Sequence, residues 1–175
     1  MNLIRHKILL ILALPMLASG CDSATQYSGE GKLVDNGPSA ATDRYVLDLG
    51  PVSLKTAASA SYKFRNLPKE NFVIGIELRA IEGSKLAQGA IDPVVSLTLL
   101  ENGNALVAKE ARLNDWTWSV HSPGNNAFVY GREKPGTYFT PVPGKQYELT
   151  LRVKEPDRSM ASYSASLVAK SGGWK

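Results

Sequence analysis

Residues 72–79, FVIGIELR, decide the fold of this chain, because their apolar side chains recur at every second position. One face of the segment carries Phe72, Ile74, Ile76 and Leu78, and the other carries Val73, Gly75, Glu77 and Arg79. A period of two places one set of side chains on a buried face and the other on a wet face. The segment is therefore predicted to be an amphipathic β-strand.

The same period recurs on both sides of this strand, in segments spaced about ten residues apart. It is found near residues 45–49, 62–65, 94–100, 116–120, 128–130, 147–153 and 163–169. Asn102-Gly103 separates two of the apolar runs, and an Asn-Gly pair favours a type I′ hairpin turn. This turn is expected to return Leu106 and Ala108 antiparallel to the preceding strand. We therefore predict eight to nine strands and no helix after the first 20 residues.

This spacing indicates an all-β protein, an antiparallel β-sandwich of about eight strands. The alternative architecture is a closed, lipocalin-like barrel. Pro143-Gly144 followed by Tyr147-x-Leu149-x-Leu151-x-Val153 resembles the late strand of fibronectin-like and C2-like sandwiches. The resemblance implies that Tyr147 closes a corner of the sandwich.

The first 20 residues have the three parts of a secretory signal peptide. Arg5 and Lys7 form a basic start, residues 8–17 are apolar (ILLILALPML), and residues 18–20 are small (ASG). The apolar part is too short for a membrane-spanning helix. Export from the cytoplasm is the expected consequence.

Residues 17–21, LASGC, resemble the lipobox of bacterial lipoproteins. The resemblance implies a diacylglyceryl thioether on Cys21, cleavage before it, and an acylated new amine. The match departs from the commonest pattern, which has leucine three places before the cysteine, where this chain has Ala18. The alternative is an ordinary secreted protein with a free thiol.

Asp22 resembles the signal that retains a lipoprotein in the inner membrane, with the outer membrane as the alternative.

These features predict four parts of the chain: a signal peptide at 1–20, a lipidated tether at 21–43, the sandwich at 44–170 and a flexible tail at 171–175. The tether is rich in Ser, Ala, Gly, Asp and Thr, with a possible short strand around residues 31–34. The 155 residues that remain after cleavage are enough for one domain with a real core.

The charged and metal-binding residues exclude several classes of function. Without Arg5 and Lys7, the net charge of +4 falls to about +2, and no run of five like charges occurs, which argues against nucleic-acid binding. Cys21 is the only cysteine and His121 the only histidine after the leader. Disulfides and metal sites built from several His or Cys ligands are thereby excluded. We expect no metal and no cofactor.

Sequence signatures of catalysis are also missing. The chain contains neither the G-x-S-x-G nor the S-x-x-K pattern of serine nucleophiles, and His121 lies in a predicted turn, so an enzyme is not expected.

The preferred hypothesis is a membrane-anchored accessory or immunity-type lipoprotein that binds an envelope protein. The chain resembles those groups in architecture alone. The alternative is a glycan- or peptidoglycan-binding sandwich using Trp116, Trp118, Tyr130 and Tyr138. Two tryptophans at spacing two are more typical of core anchors than of a stacking surface.

Overall fold

A computed structural model describes residues 26–38, 43–81, 86–121 and 125–172. The predicted signal peptide, Cys21, Asp22 and Trp174 lie outside the described residues. Two antiparallel sheets pack against each other, which confirms the predicted β-sandwich. Nowhere in the described ranges does a helix reach the length and apolar character needed to cross a bilayer.

The described residues form twelve strands. In chain order they are β1 (Ser28–Gly29), β2 (Lys32–Asp35), β3 (Tyr45–Val52), β4 (Ser59–Arg65), β5 (Phe72–Ala80), β6 (Val94–Glu101), β7 (Asn104–Arg112), β8 (Thr117–His121), β9 (Asn126–Tyr130), β10 (Tyr138–Phe139), β11 (Gln146–Glu155) and β12 (Tyr163–Ser171). A single turn of 3₁₀ helix at Leu113–Asp115 lies between β7 and β8.

Each sheet has its own edges. The five-stranded sheet has the order β1-β4-β11-β6-β7, and the seven-stranded sheet has the order β2-β3-β12-β5-β9-β8, with β10 also paired to β5. The sheets do not continue into each other in this order. The barrel alternative is therefore wrong, and the molecule is an open sandwich.

Strand β5 lies in the middle of the seven-stranded sheet and behaves as predicted on its inner face. Phe72, Ile74, Ile76 and Leu78 are each 0% exposed and pack in the main core between the sheets. Burying one such side chain contributes about 1.5 to 3 kcal/mol, so this strand is a major source of stability.

The outer face of β5 differs from the predicted wet face. Val73 is also fully buried and packs with Phe128, Tyr130 and Val168 in a second, smaller cluster. A side chain at Gly75 would meet the Phe128 ring at 2.6 Å, so the glycine makes room for that ring. The period of two predicted the strand but not this second apolar layer.

The hairpin between β6 and β7 has the predicted turn. Asn102 and Gly103 have φ values of 47° and 85°, the positive pair that a type I′ turn requires. The register shifts between Leu99 and Leu100, and β7 consequently buries Val107 and leaves Leu106 47% exposed. A one-residue irregularity exchanges the faces of a strand, which an alternation pattern does not show.

Part of the predicted tether belongs to the sandwich. Ser28–Gly29 pairs with β4, and Lys32–Asp35 pairs with β3. The Asn66 side-chain amide donates to the Gln26 carbonyl at 3.3 Å. The short strand expected around residues 31–34 is β2, whereas the pairing of Ser28–Gly29 was not predicted, because backbone pairing needs no apolar pattern. Residues 28–35 therefore belong to the sandwich, although the predicted boundary at residue 44 left them out.

The predicted tyrosine corner is present at Tyr147. Its hydroxyl accepts a hydrogen bond from the Val142 amide at 2.8 Å and donates to Glu101 Oε1 at 2.7 Å. Its ring lies 5.8 Å from that of Phe64 and 5.7 Å from that of Phe139. Burial, together with the bond to Glu101, raises the pKa of Tyr147 to about 12. The hydroxyl therefore stays protonated and ties the loop before β11 to the hairpin.

Candidate functional site

Two of the predicted aromatic site residues, Trp116 just before β8 and Trp118 on it, contact the main core. Trp116 is 2% exposed, and Trp118 is half-buried against the same core. The Trp118 indole N–H donates to the Leu113 carbonyl at 3.0 Å. This corrects the glycan-stacking alternative for Trp116, because a sugar cannot stack on a ring that other side chains cover.

The other two predicted residues, Tyr130 and Tyr138, lie on the opposite face of the seven-stranded sheet. They belong to the second cluster, where their rings meet edge to face with centroids 6.2 Å apart. Tyr130 is 6% exposed and Tyr138 is half-buried. The structure therefore does not bring the four aromatic residues together on one surface.

His121 is the last residue of β8 rather than the first residue of a turn. Its backbone pairs with Asn126 in the neighbouring strand β9. Residues 122–124 of the predicted turn lie outside the described residues.

The candidate site is a cleft at one end of the sandwich, which we call the cleft end. This end is built by the connections that follow β3, β5, β7 and β11. The cleft has a volume of about 530 Å³ and is lined by residues 89–92, Arg112 and residues 154–159. A volume of this size falls in the range of small-ligand clefts and of pockets that accept a partner's side chains.

One buried carboxylate organises the loop on one side of the cleft. Asp157, with a side chain 2% exposed, accepts hydrogen bonds from the backbone amides of Asp92 and Ser159 at 3.3 and 3.1 Å. It also accepts from the Ser159 hydroxyl at 2.7 Å and the Tyr163 hydroxyl at 2.8 Å. Four donors from three residues thus converge on one side chain, which fixes the loop between β11 and β12.

The environment of Asp157 keeps it ionised. Burial alone would raise the pKa of this carboxyl, but the hydrogen bonds from Ser159, Tyr163 and the Asp92 amide outweigh it and leave the pKa below its usual 3.8. Burial, together with the hydrogen bond to Asp157, raises the pKa of Tyr163 well above its ordinary value. The pair therefore holds a carboxylate and a neutral phenol at any physiological pH.

Lys55 joins this loop to the connection that follows β3. Its ammonium donates to the Ser159 carbonyl at 2.6 Å and lies 3.6 Å from Asp157 Oδ2. It also lies 5.2 Å from the centre of the Tyr163 ring, within reach of a cation–π contact. The positive charge therefore compensates the buried carboxylate.

Arg112 crosses the other side of the cleft. Its guanidinium lies 3.2 Å from Asp92 Oδ2 and 3.3 Å from Glu155 Oε2. The second Asp92 oxygen is buried and has no hydrogen-bond partner among the described residues. Arg112 thus bridges two acidic side chains at this side of the cleft.

Two exposed apolar side chains lie at the cleft end. Met160, on the loop that Asp157 holds, is 96% exposed, and Ile81 is 43% exposed. The Ile81 amide donates to the Ser162 carbonyl at 3.0 Å, so the two residues belong to adjoining segments. Met is over-represented at protein-binding surfaces because its unbranched side chain adapts to a partner.

The acidic side chains that line this cleft make contacts within the protein itself. Asp157 is committed to four hydrogen bonds, and the two exposed carboxylates are shared with Arg112. Within the described residues, no group of three or more His, Cys, Asp or Glu side chains is placed to hold a metal ion. The arrangement therefore presents a fixed loop with polar and apolar contacts beside a cleft.

The sequence did not single out the residues of this site. In the sequence, Glu155-Pro156-Asp157-Arg158 has only the composition of a turn. Asp157 and Ser159 do have the two-residue spacing of an Asx turn, in which the side chain accepts from a backbone amide. That signal predicts local turn structure, whereas the contacts with Asp92, Lys55 and Tyr163 depend on the tertiary fold.

No protein-family model matches this chain, and a search of curated proteins finds no match.

Proposed function

We propose that this protein is a lipid-anchored, non-enzymatic module of the bacterial cell envelope that binds another envelope protein on the periplasmic side. The anchor is the diacylglyceryl group that the lipobox-like segment predicts on Cys21. Asp22 favours the inner membrane as its location. The binding surface is the cleft end, with the loop held by Asp157 at its centre.

The anchor proposal is supported by the order of features at the start of the chain. A basic start, ten apolar residues and three small residues lead directly to Cys21. The remainder of the sequence contains no other cysteine. One acyl chain holds a protein only marginally, whereas several chains on one residue would hold it stably.

The binding proposal rests on one observation, the full exposure of Met160 on a loop that a buried carboxylate holds in place. A side chain that is 96% exposed contributes little to the stability of the domain itself. A fixed loop loses less conformational freedom on association than a mobile one, and binding is correspondingly tighter. The adjacent cleft supplies polar groups that would complete such an interface.

Mass spectrometry of the exported protein tests the anchor. The expected mass is that of residues 21–175 with lipid on Cys21, and Cys21→Ser should move the protein from the membrane fraction to the soluble periplasm. An exported product with an unmodified thiol would contradict the anchor.

A photo-crosslinking amino acid at Met160 tests the binding surface in living cells. Leu106 provides the matched control, because it is also apolar and 47% exposed but lies on edge strand β7. The expected result is one discrete adduct from position 160 that is absent from position 106. Identical adducts at both positions, or none at position 160, would overturn the cleft end as the binding surface.

A further inference from the structure

The described chain starts at the end of the sandwich opposite the cleft. Tyr27 and Gln26 lie beside the turn that follows β4, where they line a hollow of about 570 Å³ together with residues 66–69 and Pro143. We call this the N-terminal end. The Met160 loop, in contrast, follows the other terminus of β11. The ten residues of β11 separate the two ends by about 30 Å.

The first residues of the described chain are held at this end by hydrogen bonds and strand pairing. The Gln26 carbonyl accepts from Asn66, the Lys63 amide donates to Glu30 at 2.6 Å, and Ser28 pairs with Arg65. Tyr27 packs against the main core. The position at which the chain leaves the sandwich is therefore set by the fold.

Only five residue steps separate Cys21 from Gln26. A fully extended chain of that length reaches about 18 Å, which is less than the separation of the two ends. If Cys21 carries the lipid, it lies at the headgroup level of the bilayer. Because the link is so short, the N-terminal end stays within about 18 Å of Cys21, whereas the cleft end lies about 30 Å farther along the sandwich.

From this geometry we infer that the N-terminal end rests against the bilayer surface and that the cleft end points away from it into the periplasm. This inference rests on the proposed lipid anchor. The occupant of the N-terminal surface is thus the headgroup layer of the membrane that holds Cys21.

The side chains of the N-terminal end fit such a neighbour. Val142, at 45% exposed, and Pro143 lie on the surface of the loop before β11. Lys69 lines the hollow, and the Lys145 amide donates to the Val142 carbonyl at 3.2 Å. Lysines beside a membrane attract anionic headgroups, and exposed apolar side chains tolerate the interface. The surface opposite, around Met160, would remain open to a periplasmic partner.

The test uses the full lipidated protein in vesicles of phosphatidylethanolamine and phosphatidylglycerol that carry a quencher on the lipid headgroup. Because Cys21 is acylated, Val142→Cys or Met160→Cys provides the only free thiol for a fluorescent label. Both positions are exposed, so neither substitution should disturb the fold. The label at position 142 is expected to be quenched several-fold more strongly than the label at position 160.

A longer link provides the control. Insertion of 20 Gly and Ser residues between Ser23 and Ala24 extends the average reach of the link to about 27 Å. In that variant the difference between the two labels should largely disappear, because the sandwich can then reorient. A difference unaffected by the insertion would contradict the role of the short link.

The possible failures are distinguishable. Equal quenching at positions 142 and 160 on vesicle-bound protein, or stronger quenching at 160, would overturn the orientation while leaving the anchor intact. Protein that fails to remain with the vesicles would overturn the anchor and, with it, the membrane contact of the N-terminal end.

Discussion

The two ends of the sandwich use the same pair of groups, a tyrosine hydroxyl and a carboxylate, in opposite ways. At the N-terminal end, Tyr147 is the centre: its ring is 0% exposed and its hydroxyl contacts both Val142 and Glu101. At the cleft end, the carboxylate of Asp157 is the centre, and Tyr163 is one of several donors around it.

This difference separates two sources of order in one fold. The N-terminal end is held mainly by an aromatic ring in the core, where apolar burial dominates the free energy. The cleft end is held mainly by hydrogen bonds to a buried charge, which lose their strength when the charge is neutralised. We therefore expect the two ends to respond differently to substitution and to pH.

The largest effect is expected from removing the Tyr147 ring. Tyr147→Ala should lower the free energy of unfolding by about 3 to 5 kcal/mol, because it leaves a cavity between Phe64 and Phe139. Urea denaturation followed by circular dichroism measures this change. Tyr147→Phe is the matched control and should cost about 1 to 2 kcal/mol, since only the hydroxyl contacts are lost. Equal costs for both variants would show that the hydroxyl, rather than the ring, holds this end.

A smaller effect is expected from neutralising the centre of the cleft end. Asp157→Asn should lower the free energy of unfolding at neutral pH by about 2 to 3 kcal/mol, because the amide group would face a donor instead of accepting from it. The effect should depend on pH. The pKa of Asp157 is below 3.8 in the folded protein, so its stabilisation is complete above that value and is lost as the pH falls through the folded-state pKa.

Urea denaturation at a series of pH values tests whether the stabilisation by Asp157 is lost as the pH falls. The unfolding free energies of the wild type and Asp157→Asn should differ at neutral pH and converge as the solution is acidified below pH 3.8. Ile76→Val serves as the reference, because Ile76 is apolar and fully buried and its contribution should not change through the Asp157 titration. A constant difference between wild type and Asp157→Asn would contradict the role of the charge.

The smallest effect is expected from Tyr163→Phe, which removes one of the donors to Asp157 and leaves the ring in place. We expect a loss of about 1 kcal/mol in the free energy of unfolding, measured in the same way. A loss as large as that of Asp157→Asn would mean that the carboxylate depends on this single hydroxyl rather than on the set of donors.

The aromatic residues show which contacts an alternation of apolar residues can predict. The alternation at 116–120 placed Trp116 and Trp118 on one face, and both do contact the main core. The same pattern cannot show that Tyr130 and Tyr138 share a second cluster with Val73 and Val168. That cluster is formed by side chains from four strands, and their proximity follows from sheet order.

The sequence by itself determined the strand period, the hairpin at Asn102-Gly103 and the all-β class, because these depend on residues that are neighbours along the chain. The tertiary structure alone decided which face of β7 is buried, that Ser28–Gly29 pairs with β4, and that Asp92, Lys55 and Tyr163 meet at Asp157. Those features depend on register and on contacts between segments far apart in sequence. Local alternation carries no information about either, because a strand with the same pattern can pair with many partners.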